Sequence, residues 1–79
     1  MRILGDIAHP RFKITLFAWN GKYLLKLEEG SLEQTYKIDE MDFTEAEVKS
    51  LAEDAGFLGA AEQQFDAMAQ NLGQALQNL

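Results

Sequence analysis

The stretch ITLFAWNGKYLLKL, residues 14–27, contains two runs of alternating side chains on either side of Asn20-Gly21. An Asn-Gly pair is the strongest short signal for a β-hairpin, because a type I′ turn needs positive φ at both central residues. A two-residue turn fixes the cross-strand pairs, which are Trp19 with Lys22, Phe17 with Leu24, Leu16 with Leu25, Ile14 with Leu27 and Lys13 with Glu28. Both faces of this hairpin carry large apolar side chains, so one face can form a core while the second needs another explanation.

A third strand is predicted over residues 32–39, after a tight turn at Gly30-Ser31. A two-residue loop pairs Lys22 with Asp39, whereas a four-residue loop would set Lys22 against Lys37, so the shorter loop is preferred. The core face of this meander then comprises Phe12, Ile14, Leu16, Ala18, Tyr23, Leu25, Leu27, Leu32, Tyr36 and Ile38. Residues 2–7 are a candidate for a fourth strand at the edge of the sheet.

Two helices are predicted after Met41. Thr44 is expected as the N-cap of the first, with Glu47 completing a capping box, and Gly56 is expected to end it as a left-handed C′ residue. The second is predicted from about residue 58 to 78, with an apolar stripe made of Leu58, Ala61, Phe65, Met68, Leu72, Ala75 and Leu79. Its length of roughly 30 Å matches a strand of about 27 Å, so we expect it to lie along the whole sheet.

The length and composition predict a single α+β domain over residues 1–79, with a β-sheet half (1–39) and a helical half (41–79) packed on it. The chain has no cysteine, which excludes disulfides and thiolate metal sites. The first residues lack the apolar run of a signal peptide, and no stretch approaches membrane-spanning length. These features predict a cytoplasmic protein that does not enter the membrane.

The net charge of −6 is unevenly distributed, with +1 in residues 1–39 and −7 in residues 40–79. An acidic chain argues against nucleic acid as a partner, because phosphates are repelled by carboxylates. A domain of this size without disulfides depends on ordinary packing or on oligomerisation for its stability. Self-association is therefore a natural expectation.

The second sheet face is the candidate interaction face, made of Phe17, Trp19, Leu24, Lys22, Lys26 and Lys37. Its three apolar side chains should be contiguous, and aromatic side chains present about 150–250 Å² each. Monomers rarely leave an apolar patch of a few hundred Å² bare. Two covers are therefore expected as alternatives: the protein's own N-terminal residues or first helix, or a second protomer or partner protein.

A single-stranded nucleic acid is the runner-up occupant, because rings between lysines on an open antiparallel sheet can stack bases and meet phosphates. Glu28, Glu33 and Asp39 share the face, which weakens this interpretation. A third hypothesis is a small enzyme or metal protein centred on Asp6 and His9. No other ligands accompany that pair at metal-site spacing, and a histidine beside a proline is typical of a turn.

The leucines and phenylalanine of the second helix, Leu58, Phe65, Leu72 and Leu79, also fit a coiled-coil seam at seven-residue spacing. The segments ILGDI (3–7), His9-Pro10, Trp19-Asn20 and LEQTYK (32–37) make the chain resemble small uncharacterised bacterial proteins. That resemblance implies a free-standing bacterial domain and no particular activity. We therefore expect a non-enzymatic interaction module without cofactor or metal, which forms a homodimer through the second sheet face or the C-terminal helix.

Overall fold

A computed structural model describes residues 1–79 and contains one antiparallel sheet followed by two helices. The elements are β1 (Arg2–Ile7), β2 (Lys13–Trp19), β3 (Lys22–Glu29), β4 (Leu32–Asp39), α1 (Glu45–Leu51) and α2 (Ala55–Gln77). The strand order β1-β2-β3-β4 follows the chain. The α+β class and the meander are therefore confirmed, and the candidate segment at residues 2–7 is the fourth strand.

The hairpin forms in the predicted register, with Phe17 paired with Leu24 and Trp19 paired with Lys22. Asn20 and Gly21 both have positive φ, at 55° and 76°, as a type I′ turn requires. The short loop at Gly30-Ser31 is also confirmed, because Lys22 pairs with Asp39. Turn chemistry thus determines which side chains share each face of the sheet.

Strand β1 pairs with β2 and contains a β-bulge between Ile3 and Gly5. Ile3 pairs with Phe17 and stays 65% exposed. Leu4, the extra residue of the bulge, packs against the hydrophobic core. The bulge therefore places Leu4 and Gly5 together opposite Leu16 on the core side, so that Ile3 and Asp6 both lie on the other face of the sheet.

Both helices pack on one face of the sheet. One buried cluster joins the helix residues Val48, Leu58, Ala61 and Phe65, and Ala52 at the end of α1, to the strand residues Ile14, Leu16, Leu25 and Leu27 and to Phe12 just before β2. The capping box of α1 is present, with Thr44 Oγ1 accepting from the Glu47 amide at 3.2 Å and Glu47 Oε1 accepting from the Thr44 amide at 2.9 Å.

The prediction that Gly56 ends the first helix is wrong. Helix α1 ends at Leu51, and Gly56 lies in the first turn of α2. Asp54 is the N-cap of α2, since its Oδ2 accepts a hydrogen bond from the Phe57 amide at 2.8 Å. An aspartate that satisfies a free amide starts a helix, and this preference outweighs the tendency of the nearby glycine to end one.

Helix α2 docks through its first half only, so the prediction that it lies along the whole sheet is wrong. Near its start, Phe57 packs edge-on against Tyr36 with ring centroids 5.3 Å apart, and Gln34 Nε2 donates to the Ala61 carbonyl at 3.0 Å. The last fully buried residue is Phe65, and every residue after Met68 is exposed. With 23 residues the helix is about 35 Å long, longer than any strand of the sheet.

Candidate interaction surface

The face of the sheet that points away from both helices is here called the open face. Its side chains come from alternate positions of the four strands: Ile3, Asp6, Lys13, Thr15, Phe17, Trp19, Lys22, Leu24, Lys26, Glu28, Glu33, Thr35, Lys37 and Asp39. Neither helix contributes to covering it, because the residues that α1 and α2 bury belong to the core cluster on the opposite side. Strand β1 extends the sheet at its edge and does not fold over it.

An apolar row crosses the centre of the open face. Ile3, Phe17 and Leu24 are direct neighbours on β1, β2 and β3, and Lys37 completes the row on β4. Leu24 is 8% exposed and Phe17 is half-buried, while Trp19 beside them is 52% exposed. Phe17 and Leu24 are therefore cross-strand neighbours, and Trp19 lies two residues further along β2 on the same face.

The N-terminal residues enlarge this apolar surface in a way that the sequence reasoning missed. Ile3 continues the row onto β1, and Met1 is 74% exposed. Met1, Phe17 and Leu24 line a shallow depression of about 190 Å³, whose other wall is polar. Its polar lining comes from Lys26, Glu33 and Thr35. Strict alternation in β1 would put Ile3 on the same face as Ile7, which packs against the core, so only the bulge between Ile3 and Gly5 places Ile3 on the open face.

The open face is electrically balanced. It carries four lysines (13, 22, 26 and 37) and four carboxylates (6, 28, 33 and 39), so the whole net charge of −6 resides elsewhere on the protein. Lys22 Nζ lies 3.6 Å from Asp39, and Lys26 Nζ lies 3.6 Å from Glu33 and 3.9 Å from Glu28. Lys13 and Glu28 are cross-strand partners as predicted, but they form no ion pair with each other.

Asp6 and His9, the candidate enzymatic pair, lie on different sides of the molecule. Asp6 accepts from the Thr15 hydroxyl at 3.3 Å on the open face. His9 stacks on Phe12 with ring centroids 4.0 Å apart, and its Nε2 lies 3.4 Å from Glu62 on α2. Its Nδ1 accepts from the Arg11 and Phe12 amides at 3.1 and 3.4 Å. Both ring nitrogens are engaged in holding the β1–β2 loop, as expected for a turn residue.

Arg11 is the other polar group of this loop, and its guanidinium bonds to Glu29 at the end of β3 and to Asp66 on α2. These hydrogen bonds, first the one to Glu29 and then the one to Asp66, raise the pKa of Arg11 above its usual value. A guanidinium already held by two carboxylates has little capacity left for an anionic ligand. The loop is therefore a structural clamp between sheet and helix.

The largest concavity is an open groove of about 420 Å³ on the helix side, between the end of β4 and α1. It is lined by Ile38, Phe43, Val48 and Leu51, with Glu47 as its single polar residue. The Glu47 carboxylate is occupied by the capping box. A groove without converging polar groups lacks the means to orient a substrate or move a proton.

The second half of α2 forms another uncovered surface. Leu72 and Leu76 are 41% and 56% exposed. Residues 67–79 include no charged side chain, which is unusual for an exposed helix. Leu58 and Phe65 of the predicted coiled-coil seam are buried against the sheet, and only the later positions are free.

No group of three or more His, Asp or Glu side chains is arranged to hold a metal ion. Neither helix is both long enough and apolar enough to cross a membrane. In comparisons with known proteins, no family model, no curated protein and no solved structure matches this chain. The surfaces described above are therefore the basis for any functional proposal.

Proposed function

We propose that this protein is a non-enzymatic interaction module that forms a homodimer by packing the open faces of two copies together. The observation that carries the proposal is the apolar row of Ile3, Phe17 and Leu24, with Trp19 beside it, on a sheet face that no helix covers. A bacterial cytoplasmic setting is part of this proposal on sequence grounds alone.

Charge favours a second copy as the occupant. The protein as a whole is acidic, so two copies repel each other wherever their acidic surfaces approach. The open face has equal numbers of lysines and carboxylates, so the open faces of two copies can pack together without net electrostatic repulsion. An alternating arrangement of both signs also allows pairs to form across the contact.

The size of the face sets the strength to expect. Four strands at a spacing of about 4.8 Å and seven residues at about 3.3 Å give a projected area on the order of 400 Å². A standard interface buries roughly 800 Å² on each partner, about twice this area, so the dimer belongs among the weak, transient contacts. We therefore expect an equilibrium between monomer and dimer in the micromolar range rather than a permanent assembly.

The test is the molar mass in solution, measured by light scattering during gel filtration over a wide range of protein concentration. Wild-type protein should move from monomer to dimer as its concentration rises. Trp19, the only tryptophan, should shift its fluorescence emission to shorter wavelength over the same range, because association removes it from water. A wild-type protein that stays monomeric at the highest attainable concentration would overturn the proposal.

The matched variants are Phe17→Glu and Phe43→Glu. The first puts an unpaired carboxylate at the centre of the proposed contact, where desolvation is costly, and should give a folded monomer. The second also removes a half-exposed aromatic ring, but on the helix side beside the groove, and should leave dimerisation unchanged. Circular dichroism separates loss of association from loss of folding.

A second candidate surface is the uncharged half of α2, favoured by the exposure of Leu72 and Leu76. The double variant Leu72→Glu/Leu76→Glu tests it, since monomers would form only if this helix makes the contact.

A further inference from the structure

Two copies that pack face to face by a closed contact are related by a two-fold axis. That axis must lie in the plane of the interface, because an axis perpendicular to it would leave both sheets on the same side. Only two directions then keep the strands of the two sheets aligned: along the strands or across them. The choice between them, which rests on the proposed dimer, follows from the register of the open face.

An axis across the strands places each strand over its own counterpart. An axis along the apolar row keeps the apolar side chains in contact, so that Phe17 meets the partner's Phe17. An axis half a row nearer the hairpin turn would set Trp19 on the partner's Phe17, but it leaves the rows of Lys26 and Lys13 without a counterpart. The axis along the apolar row also sets Lys37 against the partner's Lys37, and Lys22 against the partner's Lys26. Like charges facing each other in a contact of this size oppose association.

An axis along the strands, between β2 and β3, places β2 over the partner's β3 and uses all four strands. Phe17 then lies over the partner's Leu24, and Trp19 over the partner's Lys22. Ile3 meets the aliphatic stem of the partner's Lys37, which can keep its ammonium group in water. No like charges face each other, and a ring over an ammonium is itself attractive.

We infer that the dimer is a β-sandwich whose two-fold axis runs along the strands between β2 and β3. Shifting the axis sideways onto β2 would also match rings with rings, but it removes β4 from the contact and sets Lys13 against the partner's Lys13. Aligned sheets cross at about 30°, which displaces the outer rows most. Phe17 and Leu24 lie beside the axis near the middle of the face, and they are the positions at which the pairing is best defined.

The experiment mixes two proteins, Phe17→Lys and Leu24→Glu. Each alone should be monomeric, because both contacts of its dimer would bury a charged side chain that faces no opposite charge on the partner. In the mixture, one contact joins the new lysine to the new glutamate, and the other is the wild-type contact of phenylalanine with leucine. Native mass spectrometry of differently tagged proteins should therefore show a heterodimer, with dimer restored in the mixture to within about tenfold of the wild-type affinity.

A second pair of variants keeps the inference testable if charge at the largely buried Leu24 prevents folding. The chain has no cysteine, so a disulfide formed after Phe17→Cys and Leu24→Cys proteins are mixed reports on these positions alone. Under mild oxidation the mixed disulfide between the two proteins should exceed both homodisulfides.

The results separate the geometry from the proposed function. A wild-type dimer together with predominant Phe17→Cys homodisulfides would overturn the inferred axis while leaving the dimer intact. A wild-type dimer whose charged variants form no heterodimer, although both fold, would do the same. A wild-type monomer would remove both the dimer and its symmetry.

Discussion

Replacing Phe65 by alanine tests how α2 is held on the sheet. Phe65 is 0% exposed and the bulkiest of the fully buried side chains, and its ring lies 5.3 Å from that of Phe12. Truncating a buried phenylalanine costs about 3–5 kcal/mol, and the ring pair adds to the loss. A domain of this length has a total stability on the order of 4–12 kcal/mol, so the variant should be close to unfolding.

The matched control is Leu72→Ala, which lies seven residues later on the same predicted stripe. Leu72 is 41% exposed, and alanine is the better helix former, so the free energy of unfolding should change by less than about 0.5 kcal/mol. Urea denaturation followed by circular dichroism, at one fixed protein concentration, measures both values. Similar losses for the two variants would refute the conclusion that α2 leaves the sheet after its first half.

Three further predictions concern glycines, a helix cap and the loop clamp. Gly21→Ala should destabilise the protein by about 1–2 kcal/mol, because the backbone φ of Gly21 is +76°. Gly73→Ala should stabilise α2 by up to about 1 kcal/mol, because the site is helical and no atom lies within 4 Å of an added Cβ. Urea midpoints that move in the same direction for both would contradict this. Thr44→Ala should cost about 1 kcal/mol through loss of the α1 N-cap, as a shift in urea midpoint. Arg11→Gln should lower the melting temperature by breaking the link to Asp66, and its deficit should shrink at high salt; a deficit that salt does not change would argue against an electrostatic clamp.

The sheet could be predicted from the sequence because its determinants are local. Asn20-Gly21 and Gly30-Ser31 each define a two-residue turn, and a turn of known length fixes every cross-strand pair that follows. The faces of β2, β3 and β4 are therefore a direct consequence of a few turn residues.

Of the features that were not predicted, one results from competing local signals, and two depend on contacts between distant parts of the chain. The boundary between α1 and α2 differs from the prediction because Asp54 caps the Phe57 amide and starts α2 before Gly56, the glycine that was expected to end α1. The extent of α2 docking depends on where the core face of the sheet ends, which the stripe of α2 does not encode. The burial of Leu24 likewise depends on the larger side chains beside it on two other strands, Phe17 on β2 and Lys37 on β4.

The first half of α2 is held on the sheet, whereas in the undocked second half the helical and unfolded forms differ little in free energy. A free helix of a dozen residues is marginal in water, because its first turn must be nucleated at an entropic cost. Here the docked turns up to Phe65 supply the nucleus, so residues 67–77 extend the helix by propagation alone. Their amide protons should exchange with solvent progressively faster toward Leu79, by fraying that leaves the core intact. Without ionisable side chains in this segment, that gradient should hardly change with pH once the intrinsic exchange rate is allowed for.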